Sequence, residues 1–356
     1  MRTFFFYLGS ILVGAALFAF ARWSGNDYLF FAGYTVLQFV VLATAWNILG
    51  GYCGYVNFGS AAFFAAGAYS TVALHKLGAN VDRYFPEQLA GIAKLVMPLN
   101  VPTLIIIGGI VSGLIGLGTG YLTLRLRGAF FAIATLALAV VLQTLIVNWD
   151  FVGGSRGAYI IRPSEIPIFG NYIQYLFAIM IVLSIVALAA ARTIERSRLG
   201  YGFATIRDDE LAAEACGVPT LKLKLVATTI SGALMGMAGA PFPYYIGYLE
   251  PGSAFGLAYA VNSIAMPMIG GTTSWVGPLV GALLLGIAQQ YIIVTISSAV
   301  GVLVVGLMLI VFVIGAPNGI VGLVQDFMRG GAKPSDGAPT WRSRLATFAN
   351  MRPGAR

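Results

Sequence analysis

Charge is scarce in this chain. Only 10% of its 356 residues are Asp, Glu, Lys or Arg, against about 25% in a soluble domain, which excludes a free soluble globule. The single His, His75, excludes a His-based metal site, and its position at the end of an apolar run suits a side chain reaching for the interface. The two cysteines, Cys53 and Cys216, have no metal-ligand spacing and both fall on the face assigned below to the cytoplasm. They are expected to be small buried residues without a disulfide. No G-x-x-x-x-G-K-[ST] occurs, so the chain does not cradle ATP phosphates by that route. No His-Asp-Ser set and no carboxylate pair lies in the apolar runs, which leaves an enzyme without candidate residues. Those runs contain no ionisable side chain at all, whereas carriers driven by proton or ion gradients generally keep one there.

What is present is apolar surface, at 58% of residues, and glycine, at 45. Both suit closely packed membrane helices. The runs are apolar all round, without the alternation of a membrane β-barrel, so the chain reads as an all-α polytopic membrane protein of about ten spans. Arg2 followed by uncharged Thr3–Ala21 resembles a signal peptide ending in Ala19-Phe20-Ala21. The run exceeds a signal core of about 7 to 15 residues, so a first membrane helix retained in the mature protein is expected. Further spans follow at 28–49, in an apolar segment that reaches His75 after a Gly-rich loop ending at Ser60, and at 102–124, 129–148, 172–191, 225–246, 255–269, 278–296 and 299–314. The eighth, 255–269, is short enough to be broken or re-entrant. Between them, 76–101 reads as an exposed loop with room for one interfacial helix, and 149–171 as a Gly- and Pro-rich loop. Gly109, Gly113, Gly116 and Gly120, and again Gly232 and Gly236, are spaced for close helix approach. Ile48-Leu-Gly50-Gly51 resembles Met268-Ile-Gly270-Gly271, a repeat that internal duplication or chance in Gly-rich segments explains equally well.

Placing both termini, Arg125–Gly128 and 192–224 in the cytoplasm puts 15 of the 21 Lys and Arg inside. The positive-inside rule supports that orientation, and the formal charge of +8 follows from it without invoking nucleic acid. The division expected is a membrane domain, 1–325, and a mobile cytoplasmic tail, 326–356.

Charge concentrates instead in 192–224. Asp208 or Asp209 is placed to cap a short helix, Gly217 to close it in the left-handed conformation, and Pro219 to prevent its continuation. Arg207, Glu210 and Glu214 share one face of such a helix, turned outward, with Ile206, Leu211 and Ala215 resting on the membrane domain. Within the spans the polar residues Asn47, Gln143, Asn262, Gln289 and Gln290 either line a path for an uncharged or zwitterionic solute or bond one helix to another.

The string Ala212-Ala213-Glu214-Ala215-x-Gly217, led by Ala204-Thr-Ile-Arg207-Asp208-Asp209-Glu210, resembles the EAA-type coupling loop of bacterial ABC importer permeases. Gly51-Tyr-x-Gly54 with Gly59-x-Ala61-Ala62-Phe63, Arg125-Leu-Arg127-Gly128-Ala129-Phe130-Phe131, and Gly270-Gly271 with Gly277-Pro278-x-x-Gly281-Ala282 match the LivM-like branched-chain amino acid permeases in order and spacing. The resemblance covers about 35–320. It implies an ABC importer permease fold in the bacterial inner membrane, paired with a related second permease, two cytosolic ATPase subunits and a periplasmic solute-binding protein. ATP and Mg would be used by the ATPases, with no cofactor and no metal on this chain. By position, Arg207, Asp208, Glu210, Glu214 and Gly217 would meet the ATPase. Arg83, Glu87, Ser155 and Arg156 in the outer loops would face the binding protein, and Asn57, Ser60, Gln143, Asn262 and Gln289 would line the path. The chain departs from the family at Tyr55, Asn57 and Ser60, where Gln, Ser and His or Gln are frequent, and at Thr273, where Gly is common. The solute thus stays open between aliphatic amino acids and the urea, short amides or aromatic acids carried by related permeases. A self-sufficient carrier or facilitator is the alternative of another class.

Overall fold

The computed structural model describes residues 2–81, 99–161, 165–166, 170–295, 298–315 and 319–328. The interfacial helix expected in 76–101, the residues Arg83 and Glu87, and the tail from 329 onward lie outside the described residues.

The chain folds as helices α1 (Arg2–Trp23), α2 (Asp27–Gly50), α3 (Ser60–Ala79), α4 (Val101–Thr123), α5 (Ala129–Val147), α6 (Tyr172–Glu195), α7 (Arg198–Asp208), α8 (Glu210–Ala215), α9 (Thr220–Gly239), α10 (Phe242–Ile246), α11 (Pro251–Ala254), α12 (Leu257–Gly270), α13 (Val276–Thr295), α14 (Ser298–Gly315) and α15 (Gly319–Met328). Eight candidate spans among the described residues are long and apolar enough to cross a membrane. The helices α3 and α14, of 20 and 18 residues, lie where the sequence places the other two. The short eighth span resolves into Pro251–Gly270, helical except for a break at Phe255–Gly256. Two boundaries differ from expectation: α6 runs on to Glu195 and α9 begins at Thr220. Arg192, Glu195, Lys222 and Lys224 therefore belong to the ends of long helices, where a charged head still reaches polar partners.

A helix that is apolar on every side must be buried, and α2 is. It is surrounded by α6, α9, α12 and α13, with Val40, Val41, Ala43, Ile48 and Leu49 wholly enclosed. The tightest layer is α3–α4–α9. A Cβ at Gly67 would overlap the Gly236 carbonyl, and the Gly232 face lies against the Ser112 and Gly116 backbone of α4. The glycine spacing read from the sequence thus allows backbones to meet, and dispersion over that contact replaces the hydrophobic drive that lipid removes. By contrast α1 meets the bundle through aromatic contacts at two places, Phe18 against Phe30 of α2 and Phe177 of α6, and Phe6 against Trp275, and α5 exposes Phe130, Ile133, Val140 and Leu145.

The loop 149–171 contains elements absent from the all-α reading. Ala158–Tyr159 pairs antiparallel with Tyr248–Leu249, and Glu165–Ile166 with Gly170–Asn171. Two-residue ladders are too short to leave an alternating pattern in a sequence. The similar motifs Ile48–Gly51 and Met268–Gly271 end α2 and α12 at the same end of the bundle, and their loops touch: a Cβ at Gly51 would lie 2.7 Å from the Thr272 carbonyl.

Candidate functional site

At that end the segment between α6 and α9 forms two short helices joined at Asp209. The Ser197 hydroxyl accepts from the Gly200 amide at 3.4 Å and opens α7. The chain then breaks at Asp209, whose carboxylate accepts from the Leu211 and Ala212 amides at 2.9 and 3.0 Å and starts α8. Gly217, at φ +83, ends it. The Val218 amide reaches Ala213 O and the Gly217 amide reaches Glu214 O, at 3.0 and 2.9 Å, the bonding of a Schellman C-cap. Both caps agree with the sequence. The helix is about one turn and a half, and it follows a second helix, α7, in a stretch expected to be loop.

The orientation of α8 is the reverse of the one expected. Leu211 is 64% exposed and Ala215 is also exposed, while Glu210 and Glu214 turn toward the bundle. The cause is Lys224, which is only 2% exposed. Its ammonium lies 2.7 Å from Glu210 and donates to the Tyr55 hydroxyl and the Leu124 carbonyl, each at 3.1 Å. Tyr55 in turn donates to Glu210. A buried ammonium demands an anion, and satisfying it outweighs covering one leucine. Arg127 extends the cluster, 3.5 Å from Glu210 and 3.1 Å from Glu214, and the Thr220 hydroxyl donates to Glu214 at 2.8 Å. The half-exposed Arg127–Glu214 pair contributes little, about 0–1 kcal/mol. The buried part binds four segments: the α2–α3 loop, the α4–α5 turn, α8 and α9. Arg207 leans against Gly54, whose φ of +79 lets the loop pass close to it, while Asp208 stays exposed and pairs with Arg207 at 3.3 Å.

Burial pushes the Glu210 carboxyl up, but the hydrogen bonds from Lys224 and Tyr55 and the charges of Lys224 and Arg127 overcome it and hold the group below the usual carboxylate range. Burial, more than the opposing Lys224 charge, pushes the Cys53 thiol up to about 12. Cys53 is buried as expected. Cys216 is exposed, contrary to expectation, because it follows α8 on the side away from the bundle.

A second cluster joins the two Gly-rich loops to α6. The Glu195 carboxylate accepts from the Trp275 amide at 2.7 Å and the Tyr52 hydroxyl at 3.3 Å. The Arg192 guanidinium lies 3.9 Å from the Phe6 ring centre and 5.8 Å from that of Trp275. Tyr55 stood out in the sequence only as a departure from the family pattern, and Lys224, Glu195, Tyr52 and Trp275 did not stand out as site residues. One signal was available: Lys222 and Lys224, two apart, cannot share a helix face, so one must turn inward.

The residues expected along a path separate in the structure. Asn57 Oδ1 accepts from the Gly59 amide at 2.7 Å, and its carbonyl accepts from the Trp46 indole at 2.8 Å. Ser60 bonds to Ser263 at 2.8 Å, and Gln289 donates to Asn262 at 2.9 Å. Gln143 alone of the five is half-buried and lines an open cleft. At the opposite end from the hairpin, Ser155 and Arg156 are exposed, with the Arg156 carbonyl accepting from the Tyr248 hydroxyl at 2.6 Å.

A bundle of apolar helices with a capped hairpin locked to its basic end has the architecture of an ABC-transporter permease. The chain belongs to the branched-chain amino acid transport system permease component family, whose pattern matches residues 28–340. It is similar to the high-affinity branched-chain amino acid transport system permease protein LivM of Salmonella typhimurium and of Escherichia coli K12. Each is 24% identical over 316 residues, 82% of this chain and 69% of the relative. It is also similar to the probable branched-chain amino acid transport permease protein LivH of Methanocaldococcus jannaschii, 25% identical over 273 residues, 73% of this chain and 82% of the relative. No solved structure matches the chain at a significant level.

Proposed function

We propose that this transport permease is one membrane-spanning half of an ATP-driven importer in the bacterial inner membrane, carrying branched-chain or other aliphatic amino acids. The observation that carries the proposal is the α7–α8 hairpin. It is capped at both ends of α8 and tied by Lys224 to three other segments, so a push on it would be passed to them. A solvated loop has no need of such an anchor. Two cytosolic ATPase subunits supply that push, using ATP and Mg that this chain does not bind. The outward surface of Arg207, Asp208, Leu211 and Gly217 is the part that meets the ATPase, while Glu210 and Glu214 act from behind as positioning residues. A related second permease completes the membrane unit, and a periplasmic binding protein docks at the opposite end near Ser155 and Arg156. The charge distribution supports cytoplasmic termini, and the curated relatives support the solute class.

The test is purification of the tagged chain in mild detergent followed by identification of what accompanies it. Two ATPases and a second permease are the expected companions. Recovery of the chain alone, together with solute flux in liposomes containing only this protein, would replace the importer with a self-sufficient facilitator.

A further inference from the structure

Resting on the importer reading, we infer that the cleft beside Gln143 is the solute-contact site of this chain, taking a zwitterionic solute with a small aliphatic side chain. The cleft has a volume of about 320 Å³ and is walled by Phe58, Ala61, Ala139, Gln143, Phe255 and Leu257. That volume is at the lower end of the range of about 300–1,000 Å³ seen for small-molecule sites. The cleft exists because the span Pro251–Gly270 breaks at Phe255–Gly256 on the side facing α5. Its other wall is fixed where the Phe58 amide donates to the Thr135 hydroxyl of α5 at 3.2 Å. The 14-residue half of the broken span, α12, is about 21 Å long. Leu257, at the break, and Phe58, in the α2–α3 loop beside α5, both line the cleft.

Two features separate this cleft from the other openings between spans. The groove of about 600 Å³ between α3, α4 and α5 and that of about 480 Å³ between α4 and α6 contain no side-chain amide or charge. The one Ser in the former, Ser70, donates to its own helix at Ala66 O. The former is also lined by Tyr69, whose buried hydroxyl has no partner among the described residues, and by Trp149; both grooves are otherwise apolar. Gln143, by contrast, makes no hydrogen bond within the described residues and lines the smaller cleft, whereas Asn57, Ser60, Asn262 and Gln289 are committed to packing and Asn47 is buried away from the cleft. An amide half-withdrawn from water without a partner has its hydrogen-bonding capacity free for a passing solute.

The experiment uses the assembled transporter in membrane vesicles, with radiolabelled leucine as the solute. Gln143→Leu keeps the volume and removes the amide; it should lower maximal uptake about three- to tenfold, the size of one hydrogen bond. Ala139→Trp fills the cleft and should abolish uptake, while Val111→Trp, which fills the 600 Å³ groove, should not. Binding-protein-stimulated ATPase activity and co-purification of partners should survive all three. Full uptake by Ala139→Trp would overturn the assignment, and loss of the second permease in that variant would make the cleft a subunit interface instead. A separate measurement needs no ATP: Gln143→Cys, in a Cys216→Ser background, should be labelled by a small charged thiol reagent and protected by leucine. Absence of labelling or protection refutes the site, whereas wild-type vesicles without ATP-dependent uptake refute the importer reading alone.

Discussion

Lys224→Met replaces the buried ammonium with an apolar side chain of similar length. Glu210 loses its 2.7 Å partner, and the Tyr55 hydroxyl and Leu124 carbonyl each lose a donor. Removing one member of a buried pair costs about 3–5 kcal/mol. Arg127, 3.5 Å from Glu210, stays as a weaker cation, which places the loss at the lower end, about 3 kcal/mol. The cost falls on the docking of α8 and not on the spans, so it appears as local opening. Amide exchange over 209–218 should accelerate by roughly a hundredfold, since about 1.4 kcal/mol is a factor of ten, and exchange in α2 and α9 should stay slow. Hydrogen exchange read by mass spectrometry in detergent or nanodiscs measures this directly. Lys224→Met with Glu210→Gln should recover part of the loss, because two coupled groups are removed together. Unchanged exchange in Lys224→Met, or strict additivity in the double variant, would refute the anchoring role.

Four further outcomes are expected. Leu211→Asp should release the ATPase subunits during purification while hairpin exchange stays at the wild-type rate; retention of the ATPases would show that this face is not their contact. Because the folded Glu210 carboxyl lies below its ordinary value of about 4.3, its contribution is complete above that pH and is lost as the pH falls through the depressed value. Exchange over 209–218 should therefore be flat from about pH 6 to 8 once intrinsic rates are removed, rise below about pH 4, and lose that rise in Glu210→Gln. An impermeant thiol reagent should label Cys216 in inverted vesicles but not in intact cells, and Cys53 in neither, so labelling of Cys216 from outside would reverse the topology. Finally, Gly67→Ala should separate α3 from α9 at a cost of about 1–3 kcal/mol. Gly118→Ala, where nothing lies within 4 Å of the new carbon, should be neutral or mildly stabilising in a thermal unfolding assay.

Much of this fold was legible because lipid imposes a strict rule on sequence. A span must satisfy its own backbone and carry about 20 apolar residues, so long charge-free runs and their connecting charges mark the helices and their order. Capping is equally local. Asp209 and Gly217 determine where α8 begins and ends through local bonds; the sequence indicated Gly217 and narrowed the N-cap to Asp208 or Asp209, and the structure selects Asp209. The spacing of Gly109, Gly113, Gly232 and Gly236 likewise foretold close approach, though not that α4 and α9 would be the partners.

The face that α8 presents was decided by tertiary structure alone. Helical periodicity says that Glu210 and Glu214 lie together and Leu211 apart from them, but not which side meets the bundle. That choice was made by Lys224, 14 residues on, together with Tyr55 and Leu124, 155 and 86 residues before Glu210. Only the folded chain brings these groups within hydrogen-bond distance, and there the cost of burying an unpaired charge exceeds that of exposing one leucine. The same holds along the path: Asn57, Ser60, Asn262 and Gln289 look like Gln143 in the sequence. A local turn holds Asn57, contacts between helices commit Ser60, Asn262 and Gln289 to packing, and Gln143 is left in the cleft.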